Sequence, residues 1–177
     1  MILAPPSQID AATLAFCATI SAAPPVYVPV KPAPEAKPAY CFDNSVAQAE
    51  QHGGEPAYGW AIWRWPGRWF EAEHHAVWQT PAGDLVDVTP QAGDPPHTLF
   101  LPDAHAVYDP TTFRHNIMAP DGHPLARDYI ALVAARSEIT DRYWEPDLDE
   151  LPLFTEEDQR RLEPIDARMA ALRSEMA

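Results

Sequence analysis

Between Ala57 and Pro90 three aromatic and β-branched runs, AYGWAIWRW, RWFEAEHHAVWQT and GDLVDVTP, are separated by Pro66-Gly67 and by Pro81-Ala82-Gly83. Such runs favour extended backbone, and proline and glycine between them reverse the chain within a few residues. An antiparallel meander is therefore the firmest constraint on the fold, and the remaining segments have to cover its faces. HTLFLPD adds a further strand near residues 97 to 101, and VYVPV forms a short β-like piece ahead of the meander.

The flanks are helical. SQIDAATLAFCATISA (7–22) predicts a helix with Ser7 as N-cap, Asp10 completing a capping box and Pro24 stopping the run. CFDNSVAQAEQHGG predicts a short helix that ends at Gly53-Gly54. The prolines between these two segments, in VKPAPEAKPAY, forbid a helix and deliver an extended chain to Cys41. Residues 102 to 124 carry turn signals, DPTTFRHN and APDGHP, and read as loop. LARDYIALVAARSEI has helical spacing, and Thr155 with Asp158 caps a terminal helix to about Met176, which Pro164 kinks or splits. Helices, then a meander, then helices predict an α+β fold with segregated elements. With 177 residues, 46% of them hydrophobic, one core is expected. A single domain over 1–177 would divide into a helix and proline-rich lead-in (1–39), a core (40–101) and a loop with C-terminal helices (102–177).

A formal charge of −14 and a pI near 4.7 argue against nucleic acid and anionic membrane surfaces as partners. A basic protein is the macromolecular partner that such a surface would suit. No run approaches the roughly 18 apolar residues of a membrane span. The first 25 residues lack a basic start, and Asp10 interrupts their apolar stretch, so a secretory leader is not expected. Two cysteines, Cys17 and Cys41, make no disulfide framework at this size. A cytoplasmic protein with free thiols is the expectation.

Cys41 stands where chemistry favours a thiol, at the start of a helix. The helix N-terminus carries partial positive charge and unpaired N–H groups, which stabilise a thiolate and can receive an oxyanion. A thiol nucleophile needs a base within hydrogen-bond reach, and His75 opens the apolar part of a strand. Asp87 lies on the next strand. A three-residue turn at Pro81-Ala82-Gly83, with Gly83 left-handed, places Thr80 opposite Asp84 and Asp87 opposite Val77. His75 and Asp87 are then diagonal neighbours on one face, where a carboxylate orients an imidazole. Asn44, one turn beyond Cys41, is placed to bond substrate or pin His75. Glu73 shares the face of His75 and flanks the site, and Trp60 is a candidate for lining a substrate cleft. His74 points to the opposite face as a surface residue. Asp103 reads as a turn residue.

Cysteine at a helix start, H-A-V-W on one strand and D-V-T on the next resemble the transglutaminase-like branch of the papain-like cysteine hydrolases. The resemblance covers about residues 40 to 90. It implies a papain/transglutaminase-like core, in which a helix bearing the cysteine packs on an antiparallel meander. It also implies Cys41 as nucleophile, His75 as base, Asp87 as orienting acid, and no cofactor. The activity it implies is hydrolysis or acyl transfer on a peptide or a small amide or ester. The family spaces nucleophile and histidine further apart than Cys41 and His75. Upstream of Cys41 only Gln8 has a residue type that would complete an oxyanion hole. Two other readings are open at this point. An acidic, non-catalytic interaction or inhibitor module can use the same fold. A zinc protein can draw on Cys41, His74, His75 and Asp87, with His97, His105, His115 and His123 downstream, although their spacing matches no tight ligand signature.

Overall fold

The computed structural model describes residues 3–144 and 153–177. In chain order the elements are α1 (Ala11–Ala18), β1 (Val26–Pro29), α2 (Cys41–His52), β2 (Glu55–Trp65), β3 (Trp69–Gln79), β4 (Leu85–Val86), β5 (His97–Pro102), β6 (Ile117–Pro120), α3 (Ala126–Thr140) and α4 (Glu156–Glu175). This is an α+β fold whose strands form one six-stranded antiparallel sheet. No helix among the described residues is long and apolar enough to cross a membrane.

The meander turns where its prolines and glycines direct. β2 and β3 pair along their full lengths, from Glu55↔Gln79 to Trp65↔Trp69. Across the next turn Thr80 N–H donates to the Asp84 carbonyl at 2.8 Å, and Gly83 is left-handed at φ 92°. Trp78↔Val86 and Gln79↔Leu85 follow, which is the register that a three-residue turn imposes. Distant segments complete the sheet: β5 inserts between β1 and β2, giving the order β1-β5-β2-β3-β4. β6, in a stretch expected to be loop, pairs with Trp69–Ala72 of β3. Only four residues long, it owes its extended form to a partner strand far away in sequence.

Register sorts the meander into two faces, because successive strand residues alternate. Trp60, Ile62, Phe70 and Ala72 share one face with Leu99 and Leu101, and α1 covers it with Phe16 and Cys17. On the other face, Trp65 and Trp69 meet Tyr129, Leu172 and Met176 from the C-terminal helices, while Val28, Val77 and Phe100 form a smaller cluster.

Two helix boundaries differ from expectation. α1 starts after Asp10 and not at Ser7. The Asp10 carboxylate accepts from both Thr13 N and Thr13 Oγ1 at 2.8 Å and pairs with Arg64 at 2.7 Å, so it outcompetes a serine hydroxyl as the cap. Pro164 sits inside α4 and does not split it. Proline removes one intrahelical hydrogen bond, but buried residues secure the helix on both sides of it, Leu162 before and Leu172 after. Thr155 caps α4 as its sequence suggests, accepting from Asp158 N at 3.2 Å.

Candidate active site

The chain reaches Cys41 through a constrained approach. Ala39 adopts φ 67°, a left-handed conformation rare outside glycine, and Tyr40 caps α2 without a side-chain bond. Asn44 supplies the missing restraint from one turn inside the helix. Its Oδ1 accepts from Lys37 N at 3.0 Å, and its Nδ2 donates to Lys37 O at 2.8 Å and to Thr89 Oγ1 at 3.1 Å. Asn44 therefore clasps the lead-in peptide and ties α2 to the segment after Asp87. These bonds use its amide fully, so it fixes the approach to Cys41 and does not pin His75.

His75 lies opposite Gly59 of β2, with the Phe100 ring edge-on at 6.5 Å. Along the other edge of β3, β6 pairs with Trp69–Ala72 and β4 with Trp78–Gln79, so His75 stands in the gap between them. Its Nε2–H donates to Asp87 Oδ2 at 3.0 Å, and the Cys41 thiol lies close enough to act on the ring. With Nε2 engaged by the carboxylate, Nδ1 is the ring nitrogen left for sulfur. All three side chains are withdrawn from solvent, with relative exposures of 7% for Cys41, 4% for His75 and 0% for Asp87. Burial alone would push the imidazole pKa down, but the interactions with Asp87 and Cys41, with the charges behind them, raise it to about 10.

Asp87 is fully buried, and four protein donors take the place of water around its carboxylate. Besides His75, its Oδ2 accepts from Thr98 Oγ1 at 2.7 Å and Gln91 Nε2 at 3.1 Å, and its Oδ1 accepts from Thr89 N at 3.1 Å. Its backbone is fixed as well: Asp87 N donates to Pro29 O at 3.0 Å, and Lys31 N donates to Asp87 O at 2.8 Å. Thr98→Val keeps the shape and deletes one donor to a buried charge. It is expected to lower stability by about 1.5–3 kcal/mol, checked by urea denaturation, while Thr98→Ser should restore most of the loss.

The remaining expected site residues are placed differently. Trp60 is buried on the face opposite His75, paired with His74, and its Nε1 donates to Asp103 Oδ2 at 3.0 Å. It is a core residue and lines no cleft around Cys41. Glu73 does share the His75 face, but it is exposed and accepts from Trp63 Nε1 at 3.0 Å. His74 is not a surface residue. It packs against Phe42 and Trp60 and donates to Ala106 O at 2.6 Å, and burial lowers its pKa. Asp103 caps its turn by accepting from His105 N at 2.9 Å. Gln8 is exposed, ahead of α1.

Sequence reasoning missed Thr89, Gln91 and Thr98. The first two follow Asp87 in D-V-T-P-Q, and a threonine in the apolar run HTLFL was the available signal for the third. Phe42, which stacks on Tyr108 at 4.1 Å and packs on His74, was missed too. Both cysteines are free, and among the described residues no three His, Cys, Asp or Glu side chains are grouped to hold a metal ion. The arrangement can move a proton between sulfur and imidazole while a fixed carboxylate balances the ring's charge. The chain matches no protein-family model, no curated protein and no solved structure.

Proposed function

We propose that the protein is a cysteine-dependent hydrolase or acyl transferase acting on a peptide or small amide, built on a papain/transglutaminase-like core. The observation that carries this reading is a thiol at a helix start beside a buried imidazole that is hydrogen-bonded to a buried carboxylate. In its neutral form His75 takes the thiol proton at Nδ1, and the sulfur attacks the substrate carbonyl carbon. First-turn N–H groups of α2, which have no partner within the helix, face the developing oxyanion. The C–N bond then breaks, the leaving amine takes the proton from His75, and a thioester remains on Cys41. Water or a second amine, deprotonated by His75, releases the acyl group and regenerates the thiol. Asp87 holds the ring in the tautomer that the proton transfers need.

Cys17 provides an internal control. It is buried in an apolar cluster, and burial pushes its thiol up to about 11, so at neutral pH it remains a poor nucleophile. Iodoacetamide at pH 7 is expected to label Cys41 at least about tenfold faster than Cys17, and His75→Ala to slow Cys41 on the order of a hundredfold. Equal rates at the two cysteines, or an unchanged rate in His75→Ala, would remove the support for a nucleophile. A silent interaction module on the same fold is the second reading. The 7% exposure of Cys41 favours it, and unreactive Cys41 in the native protein would decide for it.

A further inference from the structure

A cavity of about 520 Å³ lies between the proline-rich lead-in, α2 and the β3–β4 hairpin. None of Cys41, His75 and Asp87 lines it, although Asn44 and Val88, each close in sequence to a member of that line, do. Val86, Val88 and Trp78 are among its apolar lining, and the Trp78 indole is fixed in place by its N–H, which donates to Gly53 O at 2.9 Å. Lys31, Gln48, Gln51 and His52 line it too. The polar atoms of these four side chains make no hydrogen bond or ion pair among the described residues. Unengaged polar groups beside an apolar lining, in a space of small-molecule size, are the ordinary make-up of a ligand site.

The donors also indicate the ligand's chemistry. The chain has only two lysines, Lys31 and Lys37, both in the lead-in, and its formal charge is −14. The Lys31 backbone is held in position, because its N–H is bonded to the Asp87 carbonyl next to the Val30↔Asp87 bridge. Glu35, the acid on the same lining, sits exposed at a turn. Lys31 therefore lines the cavity from a fixed backbone position, Glu35 lines it from a turn, and the two glutamine amides suit the polar groups of a peptide bond. We infer that this cavity binds a small peptide-like carboxylate: an apolar side chain on Trp78 and Val88, amide groups on Gln48 and Gln51, and a terminal carboxylate at Lys31. This site stands independently of the acyl chemistry proposed for Cys41.

The test uses the intact protein and two probes, N-acetyl-alanyl-leucine and its C-terminal amide, titrated by NMR. The glutamine side-chain amides and the tryptophan indole N–H signals report the site, and Gln48→Ala, Gln51→Ala and Trp78→Phe assign them. The acid is expected to shift the Gln48, Gln51 and Trp78 signals and to bind about fivefold tighter than the amide. Lys31→Met should erase that difference, and Glu35→Gln should widen it by a similar factor. Both side chains are exposed, so neither variant threatens the fold. Shifts elsewhere, or no shifts, would overturn the site. Equal binding of acid and amide in the parent protein, or an acid preference that survives Lys31→Met, would overturn the carboxylate assignment.

Discussion

Asp87→Ala is expected to destabilise the fold by about 3–5 kcal/mol, the range for removing one partner of a buried charge pair. The loss does not come from the attraction between carboxylate and imidazole alone, since desolvating both charges offsets much of that. It comes from what remains. His75, Thr98, Gln91 and the Thr89 N–H all direct donors at a residue that is fully buried. With alanine there, several of them are left without a partner and without room for water to replace it. Losing the proton from His75 relieves part of the cost and no more. Asp87→Asn should cost less, because it fills the same volume and keeps one acceptor oxygen, though either amide orientation sets an N–H against a donor. Equilibrium urea unfolding of both variants checks the order. A loss under 1 kcal/mol for Asp87→Ala would mean that the carboxylate is not the hub of these bonds.

That hub was only half legible in the chain. The His75–Asp87 pairing was readable because Pro81-Ala82-Gly83 is a local device: a left-handed glycine sets the turn, and the turn sets which residues face each other. The helix beginning at Cys41 was readable for a similar reason, with prolines before it and Gly53-Gly54 after it. The same counting across Pro66-Gly67 pairs Trp60 with His74 and so removes Trp60 from the His75 face; residue type alone had suggested otherwise. Thr98 is a different case. Its contact with Asp87 exists because β5 enters the sheet between β1 and β2, and no local pattern encodes that insertion. β6 escaped notice on the same ground, being four residues long and stabilised by a partner strand remote in sequence. The papain-like comparison remains a proposal carried by the geometry of three side chains.

Stability is expected to peak near pH 6.5 and to fall steadily on the alkaline side, with His75 as the cause. Its pKa is raised from 6.5 to about 10 in the folded protein. Between those values the native state holds a proton that the unfolded chain has released. Stability from this group is therefore complete below pH 6.5 and is lost as pH rises toward 10, at about 1.4 kcal/mol per unit. His74 acts in the opposite direction and in a different window. Burial depresses its pKa, so its contribution is present above 6.5 and is lost as the medium becomes more acidic. Cys17, pushed up from 9.0 to about 11, steepens the fall above pH 9. The interval from 6.5 to 9 thus belongs to His75. Calorimetric Tm values across it should decline in the parent protein and level off in His75→Gln, whatever that variant's absolute stability. A flat parent profile there would show that the ring is neutral in the native state. His75 would then stand at rest in the form that takes the thiol proton.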